Sequence, residues 1–243
     1  GNSRVYFETR IGSIQGTDDY LKYARTAEAI FETGLLQEYK FGFSGGDEKS
    51  TYNFSASLYK DDSFNDLNEQ IKRSLNFGYT RNVSDRLKYQ ASMSYVGFES
   101  NLDFNANTSF SRFSAFEGGG RGNLDELDQA EWIEERDRAR LIGENVDIRS
   151  TVNRFTASNK FIYDFGSNIV GNFTAGVDFR SNIQEENDTN TLLIALDSEP
   201  EGTTDQASLD RVIRNNFTLT SDINFTHNGA IDNLSFVSIL AII

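Results

Sequence analysis

Residues 153–180 read NRFTASNKFIYDFGSNIVGNFTAGVDFR. Phe155, Ala157, Asn159, Phe161, Tyr163 and Phe165 alternate with Arg154, Thr156, Ser158, Lys160, Ile162 and Asp164. After Gly166-Ser167-Asn168 the rhythm resumes with Ile169, Gly171, Phe173, Ala175, Val177 and Phe179. A period of two puts one set of side chains on one face of a β-sheet and the other set on the opposite face. Gly, Ser and Asn between the two runs supply a tight turn. This stretch is therefore a β-hairpin with an aromatic face and a face of Asn, Ser, Thr and Lys.

The same alternation recurs along the chain. It predicts nine strands, at 4–13, 38–44, 51–60, 73–80, 87–97, 153–165, 169–180, 216–227 and 234–243. Most exceed the roughly 5–6 residues of an ordinary strand and match the roughly 9–11 needed to cross a bilayer at a tilt. The connections alternate. Short ones fall at 45–50, 81–86, 166–168 and 228–233, and long ones at 14–37, 61–72, 98–152 and 181–215. In an up-and-down sheet this gathers the short turns on one rim and the long loops on the other. Outer-membrane barrels show that asymmetry, with short turns in the periplasm and long loops outside the cell. The expected fold is all-β: an antiparallel up-and-down transmembrane β-barrel segment of nine strands.

Composition agrees. Mean hydropathy is −0.51, as expected when only alternate strand residues meet lipid. There is no Cys, so no disulfide framework or thiolate metal site exists. The only Pro is Pro200, which leaves the strands free of ladder breakers. The net charge of −14 is concentrated in the long connections, where acids exceed bases by 2, 3, 6 and 6 in chain order. A nucleic-acid surface would need a basic stripe instead.

Two long connections carry helical patterns. Residues 124–141 read as a helix with Asn123 as N-cap, acids in its first turns, Arg136, Arg138 and Arg140 in its last, and a Glu134–Arg138 pair at i,i+4 spacing. Residues 18–33 are weakly helical and end at Gly34.

No catalytic constellation is present, and no enzymatic activity is expected. His227 is the only histidine and falls at a strand end, which excludes a triad or multi-His metal site. The acid pairs Asp61/Asp62 and Glu185/Glu186 lie in polar connections. Residues 185–190 offer oxygen ligands for calcium without EF-hand spacing. Gly118-Gly119-Gly120-Arg121-Gly122 lacks the G-K-[ST] ending of a phosphate loop. No catalytic residue, cofactor or metal site is assigned. Trp132, the only tryptophan, is the candidate substrate-binding residue: it is either a sugar-stacking platform or the anchor of its helix. Tyr59, Tyr79, Tyr95 and Tyr163 are read as membrane-interface girdle residues.

Three stretches resemble SusC-like TonB-dependent outer-membrane transporters of Bacteroidota. The hairpin QEYKFGFSGGDEKSTYNFSASLYKDD (37–62) is similar to the family's early barrel, with an S-G-G turn after a descending strand. RSLNFGYTRNVSDRLKYQASMSYV (73–96) looks like the following pair. The hairpin of 153–180 resembles the one ending in a G-x-D strand, here Gly176-Val177-Asp178. The resemblance implies that residues 1–243 are part of the barrel domain of an importer in the Gram-negative outer membrane. It implies a glycan or peptide as substrate, and as partners outer-membrane lipid, a SusD-like lipoprotein and TonB, the last through a plug and TonB box that do not read in this chain. The odd strand number and the free edges lead to the expectation of further strands downstream. The residues leave open a plugless porin or adhesin, and a soluble β-sandwich carbohydrate-binding module.

Overall fold

A computed structural model describes residues 3–17, 19, 21, 23–65, 67–102, 124–188, 208–231 and 234–242. One antiparallel sheet holds β1 (Arg4–Ile14), β2 (Gly34–Gly46), β3 (Ser50–Asp61), β4 (Glu69–Asn82), β5 (Leu87–Leu102), β6 (Val146–Gly166), β7 (Ile169–Asp188), β8 (Ser208–Ile231) and β9 (Leu234–Ile242). The strands stand side by side in sequence order, so each pairs only with its chain neighbours. The up-and-down topology is the one expected, and short links join alternate pairs.

Register carries the alternation across the whole sheet. Phe7, Phe41, Ala56, Leu75, Tyr95, Phe155, Phe179 and Phe217 form one continuous row from β1 to β8. The adjacent row on the other face is Tyr6, Gly42, Ser55, Asn76, Ser94, Thr156, Asp178 and Thr218. A slip of one residue at any pair would break both rows.

Among the described residues nothing packs over the aromatic face. Phe161 and Phe173, in the middle of the sheet, are each 41% exposed. Their rings lie 6.4 Å apart, and Tyr89 lies 5.0 Å from Phe161 on the other side. A β-sandwich would bury this face against a second sheet. Among the described residues the buried apolar side chains are instead Tyr23, Ile30, Leu124 and Trp132, all in the long connections. From Phe155 to Phe165 the outward band runs about 33 Å along the strand. Tilted as barrel strands are, that gives close to the ~25 Å apolar height of an outer-membrane wall. Tyr79 and Tyr163 lie near its short-turn end and Tyr95 near its other end, as girdle residues do. Tyr59 does not: it stands in the polar rows beside Glu38, because it shares a face with Ser55 and Ser57 rather than with Leu58.

The strands are longer than the alternation suggested. β6 has 21 residues, β7 has 20 and β8 has 24. The added lengths, 146–152, 181–188 and 208–215, pair in register on the long-loop side. Only 181–188 is polar on both faces, apart from Ile183. In 146–152 Ile148 and Val152 fall on the otherwise polar face, and in 208–215 Leu209, Val212 and Ile213 are spread over both faces, so the phase of the alternation breaks although the hydrogen-bond ladder continues.

On the opposite rim the turns use local side chains. Asp47 Oδ1 accepts from the backbone N–H of Lys49 at 2.8 Å and of Ser50 at 2.7 Å. Ser167 and Asn168 both adopt positive φ, 51° and 63°, as a tight hairpin turn of type I′ requires. A register shift between Asp164 and Gly166 leaves Phe165 unpaired in the ladder, and its ring packs over Gly171.

Two expectations are corrected. The second helical region divides into a 3₁₀ turn, Leu124–Glu126, and a helix α2, Gln129–Asn145, which here follows the shorter α1, Ala24–Ile30. The cap of α2 is Asp128, not Asn123: its Oδ1 accepts from the N–H of Ala130 and Glu131, and its own N–H donates to Glu131 Oε2. This is a reciprocal capping box with Asp in the leading place. Asn123 and the side chain of Arg138 lie outside the described residues, so the Glu134–Arg138 pair does too. In the first connection only 24–30 is helical, and Gly34 opens β2 instead of ending a helix.

Candidate functional site

The residues of the polar face of the sheet fall into two zones. Near the short turns the rows are mostly small and uncharged. Ser44, Asn53, Gly78, Ser92 and Ser158 lie side by side from β2 to β6. Next to them Ser94 Oγ donates to Asn76 Oδ1 at 2.9 Å, and Ser92 and Ser158 hydroxyls meet at 3.0 Å. Hydroxyls and amides bond one another here, and the next row toward the turns adds Lys160 and Asp222, which flank Thr174.

Toward the long loops the same face becomes charged. Glu38 receives Lys40 at 2.9 Å and Arg10 at 3.6 Å, and Arg10 also reaches Glu8 at 2.6 Å. Arg154 grips Asp178 with two parallel hydrogen bonds, Nε to Oδ1 at 3.0 Å and Nη2 to Oδ2 at 2.5 Å. Tyr59 donates to Asp61 Oδ2 at 3.0 Å.

Above this zone the long connections pack on one another. The backbone N–H of Glu32 donates to the carbonyl of Phe64 at 2.7 Å, and the rings of Phe31 and Phe64 meet edge-on at 5.0 Å. Arg25, in α1, donates to the carbonyls of Leu127 at 2.8 Å and Leu124 at 3.3 Å and lies over the Trp132 ring. Trp132 is 4% exposed. Of the two roles open to it, its geometry is that of the helix anchor, since the ring is enclosed by Tyr23, Ile30, Leu124 and Arg25. Arg25, Tyr23 and Phe64 gave no motif in the sequence. The only available signal was apolar and aromatic residues in otherwise acidic connections.

The acid pairs are placed in ion pairs on the sheet and its rim. Asp62 meets Lys60 at 2.9 Å, and Glu185 meets Arg211 at 2.9 Å. Residues 185–188 are strand rather than a cation-binding loop, and 189–190 lie outside the described residues, as do 118–122. Among the described residues no group of three or more potential metal ligands converges. His227 stands opposite Ile169 beside the short-turn rim.

No family model matches the chain, and no curated protein matches it. Solved structures do. The RagAB peptide importer in its 'open-open' state shares the fold with a TM-score of 0.69 at 10% identity, over 99% of this chain and 34% of that one. In its 'closed-closed' state the TM-score is 0.64 at 13% identity, over 92% of this chain and 25% of that one. The chain has the fold of a segment of those solved structures. It spans between a quarter and a third of the length of those solved chains. The resemblance noted in the sequence thus agrees with the three-dimensional likeness.

Proposed function

We propose that this chain forms part of the wall of an outer-membrane, TonB-dependent importer of the SusC-like kind. One observation carries the reading. The face rich in aromatics is uncovered across a continuous sheet, while the opposite face is a polar wall whose charged end lies beneath the long loops. Lipid is the solvent that suits the first face and an aqueous passage suits the second. The sheet edges require closure by further strands in that setting, because lipid satisfies no backbone N–H or C=O.

The cargo in this reading is an oligomeric nutrient, glycan or peptide, with the packed long loops at its point of entry. TonB supplies energy from the inner membrane, and a SusD-like lipoprotein covers the outer mouth. Support for the peptide alternative is that a solved structure sharing the fold is a peptide importer. The protein is a transporter in this account, and no residue is given a catalytic role.

The test is energy-dependent uptake. Cells carrying the complete protein in their outer membrane are expected to accumulate a labelled oligomer only while TonB is functional. Accumulation that is equal with and without TonB would identify a passive porin. A protein recovered in the aqueous fraction without detergent would overturn the membrane assignment altogether.

A further inference from the structure

Arg154 on β6 stands directly opposite Arg180 on β7, and Arg180 is one diagonal step from Arg214 on β8. All three belong to the lumen face, two rows apart from end to end. Opposed residues on one face have their Cβ atoms about 5 Å apart and diagonal neighbours about 7–8 Å apart. Like charges so placed repel one another, and a sheet has no structural use for them. Arg154 takes both oxygens of Asp178, and Arg180 acts on the same carboxylate from a longer distance, so one acid is set against two guanidinium groups. Arg180 and Arg214 are exposed and make no ion pair at contact distance among the described residues. The next carboxylates outward on these strands, Glu186 and Asp210, stand opposite each other, and Asp210 is about 13 Å along the strand from Arg214.

Asn182 pairs with Arg214 and follows Arg180 on the same face.

We infer that Arg180 and Arg214 form a lumenal binding site for the carboxylates of short acidic peptides. This rests on the importer reading above and names the class of cargo. The guanidinium fork matches a carboxylate through two parallel hydrogen bonds. The placement is suited to cargo selection, since the patch lies at the loop end of the lumen wall. It is a positive patch in a protein whose net charge is −14, so it is not a product of general composition.

The test uses the complete outer-membrane protein, purified in detergent. Binding is measured for an Asp-rich hexapeptide, its Asn-substituted neutral counterpart and hexagalacturonate. The wild type is expected to prefer the acidic peptide by roughly tenfold or more, the effect of one charge-assisted hydrogen bond. Arg180→Gln with Arg214→Gln should reduce that preference to within about twofold while neutral-peptide binding stays unchanged. Arg180→Lys with Arg214→Lys, which keeps charge and loses the fork, should fall between. Equal affinity of the wild type for both peptides overturns the proposal. Parallel loss of acidic and neutral binding in the Gln variant also overturns it, by giving the arginines a structural role. Arginine-dependent binding of hexagalacturonate in place of the peptide overturns the peptide assignment. Energy-dependent uptake in cells separates the two levels: if it persists without charge preference the importer stands and the patch falls, and if it is absent both fall.

Discussion

The guanidinium of Arg25 lies 5.5 Å from the centroid of the Trp132 ring while its Nη1 donates to the carbonyls of Leu127 and Leu124. One side chain of the first long connection therefore closes the end of the 3₁₀ turn and covers the aromatic anchor of α2. The contact joins segments about a hundred residues apart, and it ties two of the long connections together.

Arg25→Ala removes hydrogen bonds from a charged donor, worth about 1.5–3 kcal/mol, along with the cation–π contact. Proteolytic cleavage within 124–145 is expected to rise by roughly tenfold or more, at about 1.4 kcal/mol per factor of ten. The β circular dichroism signal should not change, because no strand depends on the contact. Trp132→Ala should act in the same way. Loss of β signal in either variant would show that this cluster is part of the folding core and not a loop clasp.

The outward face offers a sharper test of the membrane assignment. Arg in place of Phe161 or Phe173 faces hydrocarbon if this face meets lipid, at a cost of about 2–4 kcal/mol near the midplane. Arg in place of Ser158, on the lumen side, should cost much less, since it remains hydrated. Urea unfolding in lipid vesicles measures both. Comparable costs on the two faces would contradict the sidedness.

Gly34 stands where the first long connection enters β2. A Cβ there would come within 2.1–2.4 Å of the backbone of Asp62 and Ser63. No side-chain rotation relieves such a clash, so the backbones must separate and the bond from Asp62 N–H to the Leu35 carbonyl, 3.1 Å, is expected to lengthen or break. Gly34→Ala should cost at least the ~1–3 kcal/mol of an overpacked site. Gly12→Ala, with open space around it, is the control and should be nearly neutral.

Much of the fold could be read from the sequence because lipid-facing strands impose strict alternation. Wherever that constraint stops, the reading stopped too. In 181–188 both faces are polar but for Ile183, and in 146–152 and 208–215 the apolar residues Ile148, Val152, Leu209, Val212 and Ile213 no longer keep to the aromatic face, so only the ladder shows that these segments continue the strands. Asp128 was passed over as a cap because acids crowd that whole region, and only geometry distinguishes the one whose Oδ1 takes two backbone N–H groups. Tyr59 was placed on the wrong face by its position near a strand end, although the phase set by Phe54 and Leu58 puts it with the serines. The lumenal arginines were not legible. Arg154, Arg180 and Arg214 are far apart in the chain, and only the pairing register brings them together. The same holds for Arg25 and Trp132, whose contact depends on how two loops settle.

Asp47 gives a prediction in pH. It lies in the β2–β3 turn, outside the membrane-crossing part, and is exposed. The Lys49 backbone N–H, then the Ser50 N–H and hydroxyl, hold its carboxyl below the usual carboxylate range. A carboxyl with a lowered folded-state pKa stabilises the turn above its unfolded value of about 3.9. That contribution disappears as pH falls through the lower folded value. Between pH 7 and 5 the turn should therefore be insensitive to pH, and it should loosen only in the more acidic range. Asp47→Asn keeps one acceptor oxygen and removes the titration. The difference in thermal stability between wild type and Asp47→Asn should be constant from pH 7 to 5 and shrink as pH drops below about 4. A difference that grows on acidification would mean that the charge of Asp47 opposes the turn, contrary to its three accepted hydrogen bonds.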